Sequence, residues 1–357
     1  MQRKSINLAL QGGGAHGAFT WGVLDRLLDE DWLDIAAITG TSAGALNGAA
    51  LKAGLARHAA GSLAGRRAAA ENLDHLWAEV GRISDNRVVR WMHSLIPAPH
   101  GLDRWAELFS PAAWLDNLTR ILSPYDYGPF YVNPLARVLR DLPCPDFSNS
   151  RGPQLFVAAT NVRTGRIRVF TNAAVTPDAV MASACLPNLF RAVEICDPDT
   201  GRIEAFWDGG FTGNPALFPL YAPHLPRDIV IVNINPLMRE GLPRTPVEIS
   251  DRVNEVSFNA ALMSDLRAVN FVKRLYAEGR LQNRPMKNPL IHMILDDTLM
   301  NDLGARSKLT PAPGVLGRMK RAGQAAADAF LNDHADALNN RDTVDLAALF
   351  TGSGIIG

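Results

Sequence analysis

Short unbroken apolar runs separated by glycine turns alternate along this chain with segments of helical spacing. Ile6-Asn7-Leu8-Ala9-Leu10 reads as a short buried strand that stops at Gln11 and a glycine run. Phe19, Val23, Leu24, Leu27 and Leu28 then recur near i, i+4, i+8, the period of an amphipathic helix. A second strand, Ile35 to Thr39, runs into Gly40-Thr41-Ser42-Ala43-Gly44 and an Ala/Leu-rich helix from about Ala45 to Ala53. Strand, loop, helix, strand, turn, helix opens a parallel sheet layered with helices. Two hairpins are expected further on: Gln154–Thr160 with Ile167–Phe170 around Arg163-Thr164-Gly165, and Ala192–Ile195 with Ile203–Trp207. A helix from about Pro177 to Ala184 lies between them. Asp228–Ile234 and Leu290–Leu295 read as further buried strands. Between these two lies a long helix from about Val247 to Glu278, with Ile249, Val253, Val256, Met263, Leu266 and Phe271 on or near one stripe. The last seventy or so residues are mostly helical, then polar.

The stretch from about 87 to 133 breaks this texture. Trp91, Trp105, Phe109, Trp114, Tyr125, Tyr127, Phe130 and Tyr131 crowd into it among five prolines. Such a helical insertion packs its aromatics on the core or forms an apolar cap over a site. Length alone, 357 residues, suits two domains or one large α/β domain with appendages. The 36 basic and 36 acidic side chains cancel, which excludes a protein that works by coating nucleic acid. Cys144, Cys185 and Cys196 are too few for a disulfide framework and show no zinc-ligand spacing, so no metal and a reduced, cytoplasmic setting are expected. The first apolar run is too short for a signal peptide, and no run reaches 18 apolar residues. Contact with a membrane is then expected at its surface only.

Two motifs carry the chemistry. Gly12, Gly14 and Gly17 satisfy G-x-G-x-x-G between a strand and a helix, the setting of a dinucleotide loop. That reading also needs an acidic residue at the end of the second strand, which here ends Ile38-Thr39-Gly40. The same unpaired amides at a helix start can hold a tetrahedral oxyanion instead. Gly40-Thr41-Ser42-Ala43-Gly44 is G-x-S-x-G at a strand-to-helix junction, where a strained turn exposes a serine hydroxyl. Its base must come from elsewhere. His224 and His292 read as surface or structural residues, without a carboxylate at an interpretable spacing, and His16 reads as a loop side chain that could line the site. Asp208 ends an apolar strand and precedes Gly209-Gly210; burial at a strand end would raise its pKa enough for proton abstraction.

In order, the chain shows Gly12-Gly13-Gly14-Ala15-His16-Gly17, Gly40-Thr41-Ser42-Ala43-Gly44, Ala182-Ser183-Ala184-Cys185-Leu186-Pro187 and Asp208-Gly209-Gly210. With Ala159–Gly165 and Asn214-Pro215, these residues resemble the patatin-like phospholipase family over about Ile6 to Pro236. The resemblance implies a three-layer α/β/α fold with a mainly parallel sheet, spanning 6–236, with a C-terminal extension, 237–357, on the same domain. It implies Ser42 as nucleophile, Asp208 as base, and an oxyanion hole at Gly12, Gly13 and Gly14, with Ala43 and Gly209 lining the site. The expected reaction is cofactor-free hydrolysis of acyl esters in lipids. Alternatives are a transacylase, an esterase for a storage ester, or a non-catalytic lipid- or nucleotide-binding protein. His16 stands where many members carry Arg or Lys, which removes a fixed positive charge facing the substrate.

Overall fold

The computed structural model describes residues 2–84, 123–127, 131–143, 146–197, 200–239, 241–281, 286–303 and 312–351. Most of the aromatic 87–133 stretch lies outside the described residues, including Trp91, Trp105, Phe109 and Trp114.

Eight strands form one sheet: β1 (Lys4–Leu10), β2 (Leu33–Thr41), β3 (Gln154–Asn161), β4 (Ile167–Thr171), β5 (Val193–Cys196), β6 (Ile203–Asp208), β7 (Asp228–Val232) and β8 (Leu290–Ile294). The order is β5-β6-β3-β2-β1-β7-β8, with β4 also paired to β3. Strands β3, β2, β1, β7 and β8 are mutually parallel; β4 and β6 run antiparallel to β3, and β5, antiparallel to β6, runs in the direction of the parallel set. All five residues of β7 are buried, as expected for a strand covered on both faces.

Alternation along the strands sorts side chains into two cores. Ile6, Leu8, Leu10, Ile38, Val230 and Val232 face one layer of helices: α1 (Gly17–Leu27), α2 (Ala43–Ala56), α3 (Leu63–Ser84), α4 (Pro134–Arg140), α5 (Pro177–Ser183) and the C-terminal α8 (Pro313–His334). Ala9, Ala37, Ile229, Ile231 and Ile291 face the other, built from α6 (Pro246–Ala277) and α9 (Leu346–Thr351). The short α7 (Asp297–Asp302) follows β8. The result is a mixed α/β fold with a mostly parallel central sheet between helical layers and a helical C-terminal region. Among the described residues, no helix is long and apolar enough to cross a membrane.

Helix α3 was not anticipated; it buries Leu73, Leu76 and Trp77 against α2, and Asn72 Nδ2 donates to the Ala50 carbonyl at 3.0 Å. Helix α6 falls where its spacing predicts, but much of the stripe read from the sequence faces outward. Ile249, Val253 and Val256 are 47%, 58% and 54% exposed, and Phe271 is exposed too. The buried face is Glu255, Asn259, Leu262, Leu266 and Val269. Its two polar members are held by partners: Glu255 takes a bidentate bond from Arg239 at 2.8 and 2.6 Å and a further one from Arg252 on the same helix at 3.3 Å, and Asn259 bonds Gln11.

The C-terminal helix α8 crosses α1 almost backbone to backbone. A Cβ on Gly22 would lie 1.9 Å from the Lys320 carbonyl oxygen, and one on Gly323 would lie 2.0 Å from that of Phe19. Gly323→Val should therefore lower stability by about 1–3 kcal/mol or more, by forcing the helices apart. Gly317→Ala, whose Cβ meets only the flexible Arg321 side chain, should be neutral or gain up to ~1 kcal/mol of helix propensity. Urea midpoints of the two variants against the parent check this pair.

Candidate active site

The site lies at the C-terminal edge of the sheet, where β1 and β2 end side by side with Leu10 opposite Gly40. Strand order reverses at β1, with β2 on one side and β7 on the other, the position at which open α/β sheets form crevices. Beyond Leu10 the chain enters the glycine loop; beyond Thr41 it enters the elbow.

Ser42 adopts φ +54° and ψ −123°, a strained conformation for a residue with a side chain. The turn closes this tightly because its flanking positions are glycine. A Cβ on Gly40 would sit 2.5 Å from the Gly44 oxygen, and one on Gly44 would sit 2.1 Å from that of Leu10. The Ser42 amide donates to Ser183 Oγ at 2.9 Å, so the Ala182–Pro187 segment braces the elbow from α5. Ser42 itself is 7% exposed.

Asp208 reaches Ser42 by an unusual use of one strand edge. β2 pairs with the first part of β3, ending at Thr41 opposite Ala158, and β6 pairs with the remainder, with Asp208 opposite Ala159. Since β4 occupies the other edge of β3, β2 and β6 share this one and meet end to end. Asp208 is fully buried, and burial pushes its carboxyl up to about 7, against the opposing pull of hydrogen bonds from Gly210 and the Ser42 side chain. Gly210 N donates to Oδ1 at 2.7 Å. Among the described residues Oδ2 accepts no well-formed hydrogen bond. Cys185, whose carbonyl accepts from Asp208 N at 2.8 Å, has its thiol pushed up to about 12 by burial and by the carboxylate.

The glycine loop packs directly on the elbow: a Cβ on Gly12 would be 2.6 Å from Ser42 Cβ. Its three glycines differ in what their amides do. Gly12 N donates to Asn214 Oδ1 at 2.6 Å and is spent on that bond, contrary to its expected place in the oxyanion hole. The Gly13 and Gly14 amides donate to no other described group, and Gly14 adopts φ +58°. Ala43 starts α2, packed against Gly17, and Gly209 packs on the Ala158 carbonyl beside Asp208. His16 is fully buried at the start of α1 and is not exposed on the loop.

Neither of the other histidines approaches Ser42 through a described contact. His224 is exposed beside Gln154. His292 does have a carboxylate partner: Nε2 lies 3.0 Å from Asp228 Oδ1, across adjacent strands, and Nδ1 faces Thr343. Asp228 opens β7, at the end of the sheet away from the glycine loop. A cross-strand pair 64 residues apart leaves no spacing signature.

Sequence reading also missed the amides that hold the loop. Gln11 Oε1 accepts from Ile234 N and Asn235 N at 2.8 and 3.0 Å, and its Nε2 donates to Asn259 Oδ1 at 2.7 Å. Asn214, Asn235 and Asn259 are buried with it. Buried neutral amides remote in sequence are legible only once partners are known; the one available hint was Asn214-Pro215 among the family-like segments.

The sequence model of the family described as "Patatin-like phospholipase" matches residues 8–221, more than half of the chain. No curated protein matches it in sequence. Among solved structures, VipD from Legionella pneumophila is similar at 16% identity and a TM-score of 0.39, over 92% of this chain and 67% of that one. ExoU of the type III secretion system of Pseudomonas aeruginosa, solved with SpcU, is similar at 15% identity and a TM-score of 0.26, over 92% and 53%. The chain thus spans about two thirds of the first and about half of the second. With the family's glycine loop, elbow and Asp-Gly-Gly segment gathered at one edge of its sheet, the chain belongs to the patatin-like phospholipase family.

Proposed function

We propose that this protein is a serine acyl hydrolase that cleaves carboxylic esters of lipids through a Ser42–Asp208 dyad. The observation that carries it is the pairing of a strained, nearly buried serine with a fully buried carboxylate near pKa 7. Asp208 takes the Ser42 proton as the hydroxyl attacks the ester carbonyl. The tetrahedral oxyanion accepts from the Gly13 and Gly14 amides, and collapse expels the alcohol, which leaves with the proton from Asp208. Water then attacks the acyl-enzyme, giving a proton to Asp208, and collapse releases the fatty acid as that proton passes to Ser42 Oγ. An oxyanion donor of this kind lowers the barrier by about 3–4 kcal/mol. Membership of the family supports a lipid substrate. The zero net charge leaves little long-range pull toward anionic membranes.

Ser42→Ala and Asp208→Asn should each abolish p-nitrophenol release from medium-chain esters while keeping a cooperative melt. A fluorophosphonate should label the parent at Ser42 and leave Ser42→Ala unlabelled. Because the base must be ionised, kcat/KM should rise with pH through a limb near 7. Full activity in either variant would sink the dyad.

Stability should run the other way. Between the ordinary carboxyl value of 3.8 and about 7, the folded protein keeps a proton on Asp208 that the unfolded chain has released. Its contribution to stability is therefore greatest at low pH and is lost as pH rises through that window. Asp208→Asn removes the cost of the buried charge and keeps an acceptor for Gly210 N. At pH 8 it should be more stable than the parent by roughly 2–4 kcal/mol, and the gap should close toward pH 4, as read from denaturant midpoints at both pH values.

A further inference from the structure

A run of three glycines is a poor device for aiming a hydrogen-bond donor. With no Cβ on either side, the Gly12–Gly13 peptide can rotate at little torsional cost, and a half-turn would put a carbonyl where the donor should be. Something must select one orientation. The Gly12 carbonyl accepts from Asn235 Nδ2 at 2.8 Å and from Asn214 Nδ2 at 3.2 Å, while the Gly12 amide donates to Asn214 Oδ1 at 2.6 Å. Asn214 thus grips both sides of Gly12, and Asn235 adds a second hold on its oxygen. In a planar trans peptide the C=O and the next N–H point in opposite directions. Fixing the Gly12 oxygen toward the two side-chain amides turns the Gly13 N–H away from them, on a loop in contact with Ser42.

We infer that Asn214 and Asn235 are positioning residues that hold the Gly12–Gly13 peptide in the orientation in which Gly13 N–H serves the oxyanion. This deepens the acyl-hydrolase reading and rests on it. Both residues are themselves well placed to do so. Asn214 follows Asp208 on a segment stapled beneath β2, where Thr41 Oγ1 donates to the Gly213 carbonyl at 2.6 Å and Thr39 Oγ1 to that of Ala216 at 2.9 Å. Asn235 follows β7, and its backbone amide is fixed by Gln11 Oε1. The base and the grip on the oxyanion loop therefore lie six positions apart on one short stretch of chain. Both asparagines are buried, at 0% and 1% exposure, so their amides have no competition from bulk water.

The test compares the parent with Asn214→Ala, Asn235→Ala, the double variant, and Asn235→Asp, which preserves shape but removes the donor. Each is assayed on a p-nitrophenyl ester for kcat, KM and the acid limb of the pH profile. Each is also titrated with an alkyl trifluoromethyl ketone, whose serine adduct mimics the tetrahedral intermediate. The double variant should lose about 100-fold in kcat, the scale of one lost oxyanion donor. Its KM should hold within about threefold and its acid limb should not move, while ketone affinity falls in parallel with kcat. Asn235→Ala and Asn235→Asp, which leave one hold on the Gly12 oxygen, should each lose roughly tenfold; they carry the test if Asn214→Ala does not fold. A kcat within about threefold of the parent in every folded variant overturns the inference, as does a loss of kcat with ketone affinity unchanged. A shifted acid limb in the alanine variants, which add no charge, also overturns it, since the asparagines would then be acting on Asp208. A parent with no esterase activity and no labelling at Ser42 fails earlier and overturns the hydrolase reading with it.

Discussion

One edge of one strand sets the terms for the rest of this site. β3 gives the first part of an edge to β2 and the remainder to β6, so a parallel and an antiparallel neighbour end against each other. The two strand ends that meet carry Thr41, which leads into Ser42, and Asp208. Neither residue is held by a long flexible loop; each is fixed by the sheet ladder, and their separation follows from consecutive positions, Ala158 and Ala159, on a common template. Precision of this kind is hard to obtain from side-chain packing alone, where an error of about 1 Å is costly to a reaction.

Bringing the carboxylate to that junction means burying it. Among the described residues no buried cation acts on Asp208; what opposes the desolvation is the Gly210 amide and the Ser42 hydroxyl. The fold is therefore least comfortable in the protonation state that the proposed chemistry requires. The surrounding structure offsets this cost with apolar burial on both faces of the sheet and with the close crossing of α1 and α8. The C-terminal helix thus belongs to the energetics of the site, because α1 begins directly at the glycine loop.

Much of this was legible in the chain because parallel strands buried on both faces read as plain apolar runs, and both hairpins carry their own turn residues. The glycine loop, the elbow and Asp208 were legible as motifs, since each depends on local backbone geometry that only certain residues allow. What escaped has a common cause. The end-to-end meeting of β2 and β6, the pairing of His292 with Asp228, and the amides around Gly12 all join residues far apart in sequence. For α6, both helix faces carry apolar residues, and the buried one also carries Glu255 and Asn259, so periodicity favoured the wrong stripe. Polar residues can be inside only where partners satisfy them, and the partners come from other elements.

The choice of neutral amides around the loop is consistent with the demands on the base. A buried Arg or Lys could have gripped the Gly12 carbonyl as firmly as Asn214 and Asn235 do, with a stronger, charge-assisted bond. It would also have placed a full positive charge in a low-dielectric site shared with Asp208. An opposite charge within about 4–6 Å lowers a carboxyl pKa by roughly 1–3 units, which would return Asp208 toward its ordinary value and weaken it as a base. Gln11, Asn214, Asn235 and Asn259 orient the loop without that penalty. The same reasoning explains why the loop can tolerate so many buried polar groups: each amide both donates and accepts, so a closed network can satisfy itself without charge. In the proposed chemistry, holding the Gly13 and Gly14 amides and keeping Asp208 weakly acidic are then one constraint, met by a single set of side chains.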